Sequence, residues 1–356
     1  MAHSLSDVLD LNRGLFDQNR GMPYEVIPNL WIQELDIIEE IEKNWKDIHK
    51  YFALLLNASG LEEILAEELA ILPGMEEVSL LLHINHYVRE RKFDVILLDC
   101  APTGESMRFI SIPTTLEWYM RKVFKMERAI VKCVRPVVNR LYDVPLPQDD
   151  YFTALESLFK RLKGVSEIIT DPGMTTVRLV TNPEKIVLKE TQRAFMYLCL
   201  HRMQVDGIVM NKILPEAVKD PYFEERRQSQ QNNMELARNY FNPVPILPVT
   251  LQDGEILGVE RLKQLAEQVY KGLNPLDKFI DATTFKLFKN NGKYVMILNL
   301  PFVRKEEINL IKTGEELLVR VGTMKRIMLL PRQVAAAESV KAELDGSILK
   351  LTFGGK

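Results

Sequence analysis

Nowhere in these 356 residues is there a GxxxxGK[ST] run, the glycine-rich loop with a lysine that wraps nucleoside phosphates at a helix N-terminus. Cysteine is scarce as well. Cys100, Cys133 and Cys199 are far apart and form no CxxC pair, which argues against a zinc clamp or a disulfide framework and fits a reducing cytoplasm. No window approaches the ~18 consecutive apolar residues of a membrane span, and the first residues carry no signal-peptide pattern. A net charge of −3 argues against a general nucleic-acid binder. Of the five histidines only His83 and His86 are close, three apart on an expected helix, and no third ligand accompanies them. There is no internal repeat and no low-complexity tract.

What is present is ordinary globular material, 46% hydrophobic, in a length that predicts two domains. Strand and helix patterns alternate over the first 270 or so residues. Strands are expected at Asn29–Asp36, Phe93–Leu98, Thr176–Thr181, Val205–Asn211 and Pro243–Val249. Helices are expected at 39–56, 61–72, 75–91, 114–141, 151–169, 185–201 and 257–270. Short Val/Ile/Leu runs fed by helices are the αβ units of a doubly wound parallel sheet. After about Asp281 the pattern becomes short runs at 285–288, 294–299, 308–313, 316–321, 325–330 and 348–353, separated by turn residues, as in a small all-β sandwich. Residues 1–275 therefore form the α/β domain and 283–356 the β-sandwich, with a linker near Gly272–Thr284.

The densest motif is VILLDCAPTGESMR, Val95–Arg108. A buried-type strand runs into Asp99 and then Pro102, Thr103 and Gly104. An acidic residue at the mouth of a parallel sheet is where nucleoside triphosphatases hold the water shell of magnesium. Gly104 allows a sharp turn that brings a backbone N–H near a terminal phosphate. DCAPTGESMR resembles the switch II signature of the arsenite-pump and tail-anchored-protein-targeting ATPases, with Cys100 where Thr is usual. Ala2–Asp7 resembles the back half of their switch I motif. Thr181–Arg193, Val209–Glu216 and Val244–Val249 follow in the family's order. Leu298–Leu310 and Ala342–Leu351 resemble segments of the small heat-shock protein (α-crystallin) module, with Phe302 where Gly is common.

The resemblance implies a P-loop NTPase-like fold and a function in ATP hydrolysis coupled to transport or membrane-protein delivery. It assigns Asp99 to magnesium through water, and Thr103 and Gly104 to the γ-phosphate, with Pro102 in the moving segment. Asn211 would recognise adenine and Pro245 would pack on the base. It also implies a homodimer that is not integral to the membrane. The family's opening strand, phosphate loop, helix and second strand have no counterpart ahead of Ala2, so an N-terminally truncated fold is expected. An incomplete gene model is the favoured explanation. ATP and Mg2+ should then bind weakly or not at all, and the chain as given should be catalytically incompetent. The alternative is a non-enzymatic, chaperone-like binding protein with a degenerate nucleotide site. The three cysteines do not match the family's metalloid-binding spacing, so a direct arsenite sensor is not expected.

Residues 119–141 hold a further pattern. Arg121, Lys125, Arg128, Lys132 and Arg135 fall on one helical face. Val123, Met126, Ile130, Val134, Val137 and Leu141 form an apolar stripe widened by Phe124 and Val131. Two readings stay open. One is a core-packed helix with a solvated basic face. The other, implied by the targeting branch, is a groove for a hydrophobic client helix, with Val123, Phe124, Met126, Ile130 and Val134 as its candidates.

Overall fold

A computed structural model describes residues 4–11, 21–72, 74–100, 104–141, 145–281, 284–337 and 339–354. The chain divides into two compact units. One runs to Glu167, and the other comprises Ile168–Lys356 with Val8–Asp10.

The first unit is mostly helical. After α1 (Ser4–Val8) comes an antiparallel hairpin, β1 (Tyr24–Ile27) and β2 (Leu30–Ile32), closed by Asn29 at φ 69°. The expected strand over 29–36 is thus only the second arm of a short hairpin. Asp36 then caps α2 (Ile37–Glu40) by accepting from the N–H groups of Ile38 and Glu39. A π-helical turn, Ile41–Trp45, leads into α3 (Lys46–Ala58), followed by α4 (Glu63–Leu69) and α5 (Met75–Glu90). α6 (Gly104–Tyr119) passes through a π-helical turn, Met120–Phe124, into α7 (Lys125–Leu141). α8 (Asp149–Leu162) and α9 (Val165–Thr170) are separated at Gly164, whose φ of 95° suits glycine and ends the helix.

α5 is the central helix of this unit and buries Met75, Val78, Leu81, Leu82 and Ile84. Its two buried polar residues are engaged: Ser79 accepts from Trp45 Nε1 at 2.9 Å, and Asn85 Nδ2 donates to the carbonyl of Lys163 at 3.2 Å. Nearby, His83 Nε2 lies 2.7 Å from Glu40 Oε1, while Asn44 donates to the other carboxylate oxygen. Burial would raise the Glu40 carboxyl, but the bonds and charge of His83, with Asn44 and Ser79, hold it below the usual carboxylate range.

The expected strand at 93–98 is not formed. Residues 95–100 have no regular structure, and among the described residues no strand pairs with them. Leu97 is 88% exposed. An apolar run becomes a strand only where a neighbour takes its N–H and C=O groups, and the described residues supply none.

The second unit carries the parallel sheet. β3 (Val177–Thr181), α10 (Lys185–Leu200), β4 (Val205–Ile213), α11 (Glu224–Phe241), β5 (Ile246–Thr250) and α12 (Gly258–Tyr270) follow in sequence. The sheet order is β3-β4-β5, all parallel. β4 is central and nearly continuously buried through Val205–Ile208 and Met210, as a strand covered on both faces must be. Pro248 sits on the edge strand β5, where a missing N–H breaks no ladder. Val180 on the other edge strand, β3, is 65% exposed. The helix α11 carries no expectation in the sequence reading, because its Glu/Arg/Gln/Asn-rich run has only a thin apolar stripe.

The C-terminal region is an antiparallel two-sheet sandwich, as expected. β6 (Phe285–Asn290), β7 (Lys293–Asn299), β8 (Ile308–Thr313), β9 (Glu316–Val321), β10 (Met324–Leu329), a short α13 (Arg332–Ala335), β11 (Ser339–Asp345) and β12 (Ile348–Gly354) form sheets ordered β11-β12-β7-β6 and β10-β9-β8. Alternating residues such as Met296, Leu298, Leu317, Val319, Leu351 and Phe353 make its core. Residues 277–280, between α12 and β6, are tied down. Arg178 Nη2 donates to the carbonyl of Asp277 at 3.0 Å and stacks on Phe279, and Gln204 Nε2 donates to the carbonyl of Ile280.

Candidate functional site

Open parallel sheets bind ligands at the carboxyl ends of their strands, because the βα loops gather there. At that end of β3-β4-β5, Thr181 is buried and shares a hydroxyl–hydroxyl hydrogen bond of 2.7 Å with Thr191 of α10. The buried Asn233 of α11 donates to the carbonyl of Pro183 at 3.0 Å. Residues 181–184 are thus pinned between two helices.

Asn211, near the end of β4, is half-buried. Its Oδ1 accepts from the N–H of Lys212 at 2.8 Å, which fixes the amide orientation and leaves Nδ2 to donate. Lys212 has φ 55°, and the ladder to β5 shifts register there. That irregularity lies directly beside the amide at the strand end. Beside it stands the segment leaving β5. Thr250 pairs with Ile213, and the N–H of Leu251 donates to the carbonyl of Ile213 at 2.7 Å. Gln252 Nε2 donates to the carbonyl of Thr250 at 2.7 Å and to Gln268 Oε1 of α12 at 2.9 Å. Thr250, Leu251 and Gln252 were not singled out in the sequence. The signal was available: in a parallel sheet the last residues of adjacent strands share an end.

Pro245 is at the wrong end. Its carbonyl accepts from the N–H of Ile208 at 3.0 Å, ahead of β5 and level with the amino half of β4. Asn211 is four residues further along, about 13 Å at the strand rise. The two cannot sit on one base, and the sequence reading of Pro245 is corrected accordingly.

In the first unit, Asp99 and Cys100 are exposed, in the stretch without regular structure that precedes α6. Pro102 and Thr103 lie outside the described residues. Gly104 is the first residue of α6, so its N–H is among the donors a helix leaves unpaired at its start. Among the described residues no three His, Cys, Asp or Glu side chains cluster to hold a metal ion. The fit to a magnesium nucleotide is therefore partial. Asn211 and the post-β5 segment present polar groups at the strand ends, whereas the sequence has no GxxxxGK[ST] loop to hold a triphosphate.

α7 corrects the sequence reading in a different way. Arg128 turns inward, 3.2 Å from Glu156 and over the ring of Phe152. Arg135 also turns inward, donating to the carbonyl of Pro147 at 2.6 Å and lying 3.4 Å from Asp149. Met126 is 58% and Ile130 53% exposed, and Val134 is exposed too. The basic face is partly the packed face, and much of the apolar stripe faces out. Phe124 departs from the groove set: it is buried, with its ring 5.9 Å from Phe152 and 6.5 Å from Tyr119. Val123 is half-buried.

The family model for the anion-transporting ATPase matches residues 1–271. The chain belongs to that family. A second model, the HSP20-like domain found in ArsA, matches residues 291–353, the sandwich. The "Putative arsenical pump-driving ATPase 1" of Aquifex aeolicus is 46% identical, over 97% of this chain and 88% of that protein. A "Putative arsenical pump-driving ATPase" of Prosthecochloris vibrioformis is 32% identical over 99% of this chain and 86% of its own length. An "ATPase ASNA1 homolog" of Entamoeba histolytica is 24% identical over 75% of this chain and 80% of its own. No described helix is long and apolar enough to cross a membrane.

Proposed function

We propose that this family member works as a cytoplasmic, homodimeric ATPase component coupled to transport or membrane-protein delivery, and that the chain as given holds only the base-side half of the nucleotide site. The observation that carries the reading is Asn211. Its amide stands at the carboxyl end of the central parallel strand with its oxygen engaged and its amino group left to donate. Adenine ring nitrogens are acceptors, and a fixed Nδ2 suits them. ATP would bring magnesium-assisted phosphoryl transfer, with Asp99 as the carboxylate for the metal's water shell. Without convergent phosphate donors the developing charge has no preorganised stabilisation, so hydrolysis by this chain alone should be negligible.

Calorimetric titration with Mg-ATP and with adenosine tests this. ATP should bind more weakly than about 1 mM, the upper end of ordinary substrate affinities, and no better than adenosine. Asn211→Ala should remove what binding there is. ATP binding tenfold or more tighter than adenosine, or measurable phosphate release, would show a phosphate site this reading lacks.

The non-enzymatic reading is favoured by one observation, the outward stripe of Met126, Ile130 and Val134 on α7. Flexible and branched apolar side chains spaced by four suit an apolar helix laid alongside. Loss of binding to a fluorescent apolar helical peptide in Ile130→Ser, with the fold intact by circular dichroism, would support it; unchanged binding would remove it.

A further inference from the structure

Phe302, in the turn between β7 and β8, has φ 66°. That region of backbone space favours glycine, and an aromatic residue there is under strain. The strain has a visible counterpart. The Phe302 ring lies 6.0 Å from Phe195 on α10, 6.3 Å from Tyr240 and 6.0 Å from Phe241 on α11, at steep interplanar angles in every case. These are edge-to-face contacts. A turn belonging to the sandwich is therefore held in a glycine conformation with its ring seated on two helices of the α/β region.

A second attachment lies on β10. Arg326 is buried, and its Nη1 donates to the carbonyl of Leu200, the last residue of α10. A guanidinium at that place meets both an orphan carbonyl and the negative end of the helix dipole. No carboxylate pairs with Arg326 among the described residues, and its Nε has no partner. Between the two attachments, Met196 and Leu200 of α10 belong to the buried core of the sandwich itself. The other end of α10 follows directly on residues 181–184 at the candidate site.

We infer that Phe302 and Arg326 form a two-point latch that makes the sandwich one body with α10, so that a load on the sandwich is carried along α10 to the carboxyl end of the parallel sheet. The sandwich is then not a tethered accessory. α10 spans about 24 Å and is stiff on that scale. The geometry does not depend on bound nucleotide, so the latch stands or falls apart from the reading of Asn211.

Hydrogen exchange by mass spectrometry on the full, ligand-free chain tests it. Phe302→Gly keeps the turn, since glycine suits φ 66°, and removes the ring. Arg326→Met removes the cap and keeps apolar volume. In both variants the amides of the last turn of α10 should exchange about tenfold faster while those of β7 and β12 keep their protection. In Phe302→Gly the end of α11, at Tyr240 and Phe241, should follow. Unchanged α10 exchange in both variants would overturn the inference. So would loss of protection confined to the sandwich, because the two residues would then serve only that module's own folding.

Discussion

Two stretches of this chain look alike as sequence and differ as structure. Val95–Leu98, in the expected strand Phe93–Leu98, and Ile208–Met210, in the expected strand Val205–Asn211, are both short apolar runs next to an expected helix, and both strands read as members of a parallel sheet. The second is the fully paired centre of β3-β4-β5, with Ile208 and Met210 inaccessible to solvent. The first has no ladder partner among the described residues and leaves Leu97 almost entirely in water. Apolar composition makes a strand possible. A paired neighbour makes it real, because only a neighbour takes up the backbone groups that the run would otherwise hold buried and unpaired.

The largest expected effect lies in the paired stretch. Ile208→Ala should lower stability by about 3 kcal/mol in urea unfolding, within the range for cavity-forming changes in a packed core. A loss below 1 kcal/mol would mean that β4 is not the covered strand described.

The crossover from β3 to β4 gives the next. It ends at His201, which is buried, stacked on Tyr197 at 4.3 Å and flanked by Arg326, with Arg202 next in sequence. Burial, and then the charge of Arg326, holds the His201 imidazole down to about 3. The unfolded chain takes up this proton near pH 6.5 and the folded chain does not. Stability should therefore fall as pH drops below about 6.5, approaching about 1.4 kcal/mol per pH unit until the folded-state value is reached. His201→Gln should flatten that part of the stability–pH profile; an identical slope in the variant would count against the assignment.

On α7 the effect should be on exposed surface, with little on stability. Ile130→Ser should change stability by no more than about 0.5 kcal/mol and reduce binding of an apolar dye such as ANS. Unchanged dye binding would place the accessible apolar surface elsewhere. The smallest effect returns to the irregular stretch at 95–98. Leu97→Ala should shift the unfolding midpoint hardly at all, within about 0.5 kcal/mol, in direct contrast to Ile208→Ala. A loss approaching that of Ile208 would show the run to be packed in solution.

Much of the fold was legible because local pattern and tertiary role agree. The run at 176–181 and the helix at 185–201 each differ from β3 and α10 by a single residue at one end, and β8 and β9 coincide with the runs read for them. β11 went unnamed as a run because its exposed residues outnumber its covered ones. At the candidate site, Asn211 lies near the carboxyl end of β4, whereas Pro245 lies level with the amino half of that strand. A sequence puts Pro245 near Asn211 only through the family motif, whereas the parallel register sets them at opposite ends of the sheet.

Residue order by itself determined the kinds of element, the change from parallel α/β to antiparallel sandwich, and the membership of the anion-transporting ATPase family. Those follow from periodicity and motif, which are local properties. Only the tertiary structure decided that Val95–Leu98 has no strand partner among the described residues, that Arg128 and Arg135 turn inward while Ile130 turns out, and that Phe302 grips α10 and α11. Each of these depends on which surfaces meet, and a side chain or an N–H group has no preferred partner until the chain has brought one within reach.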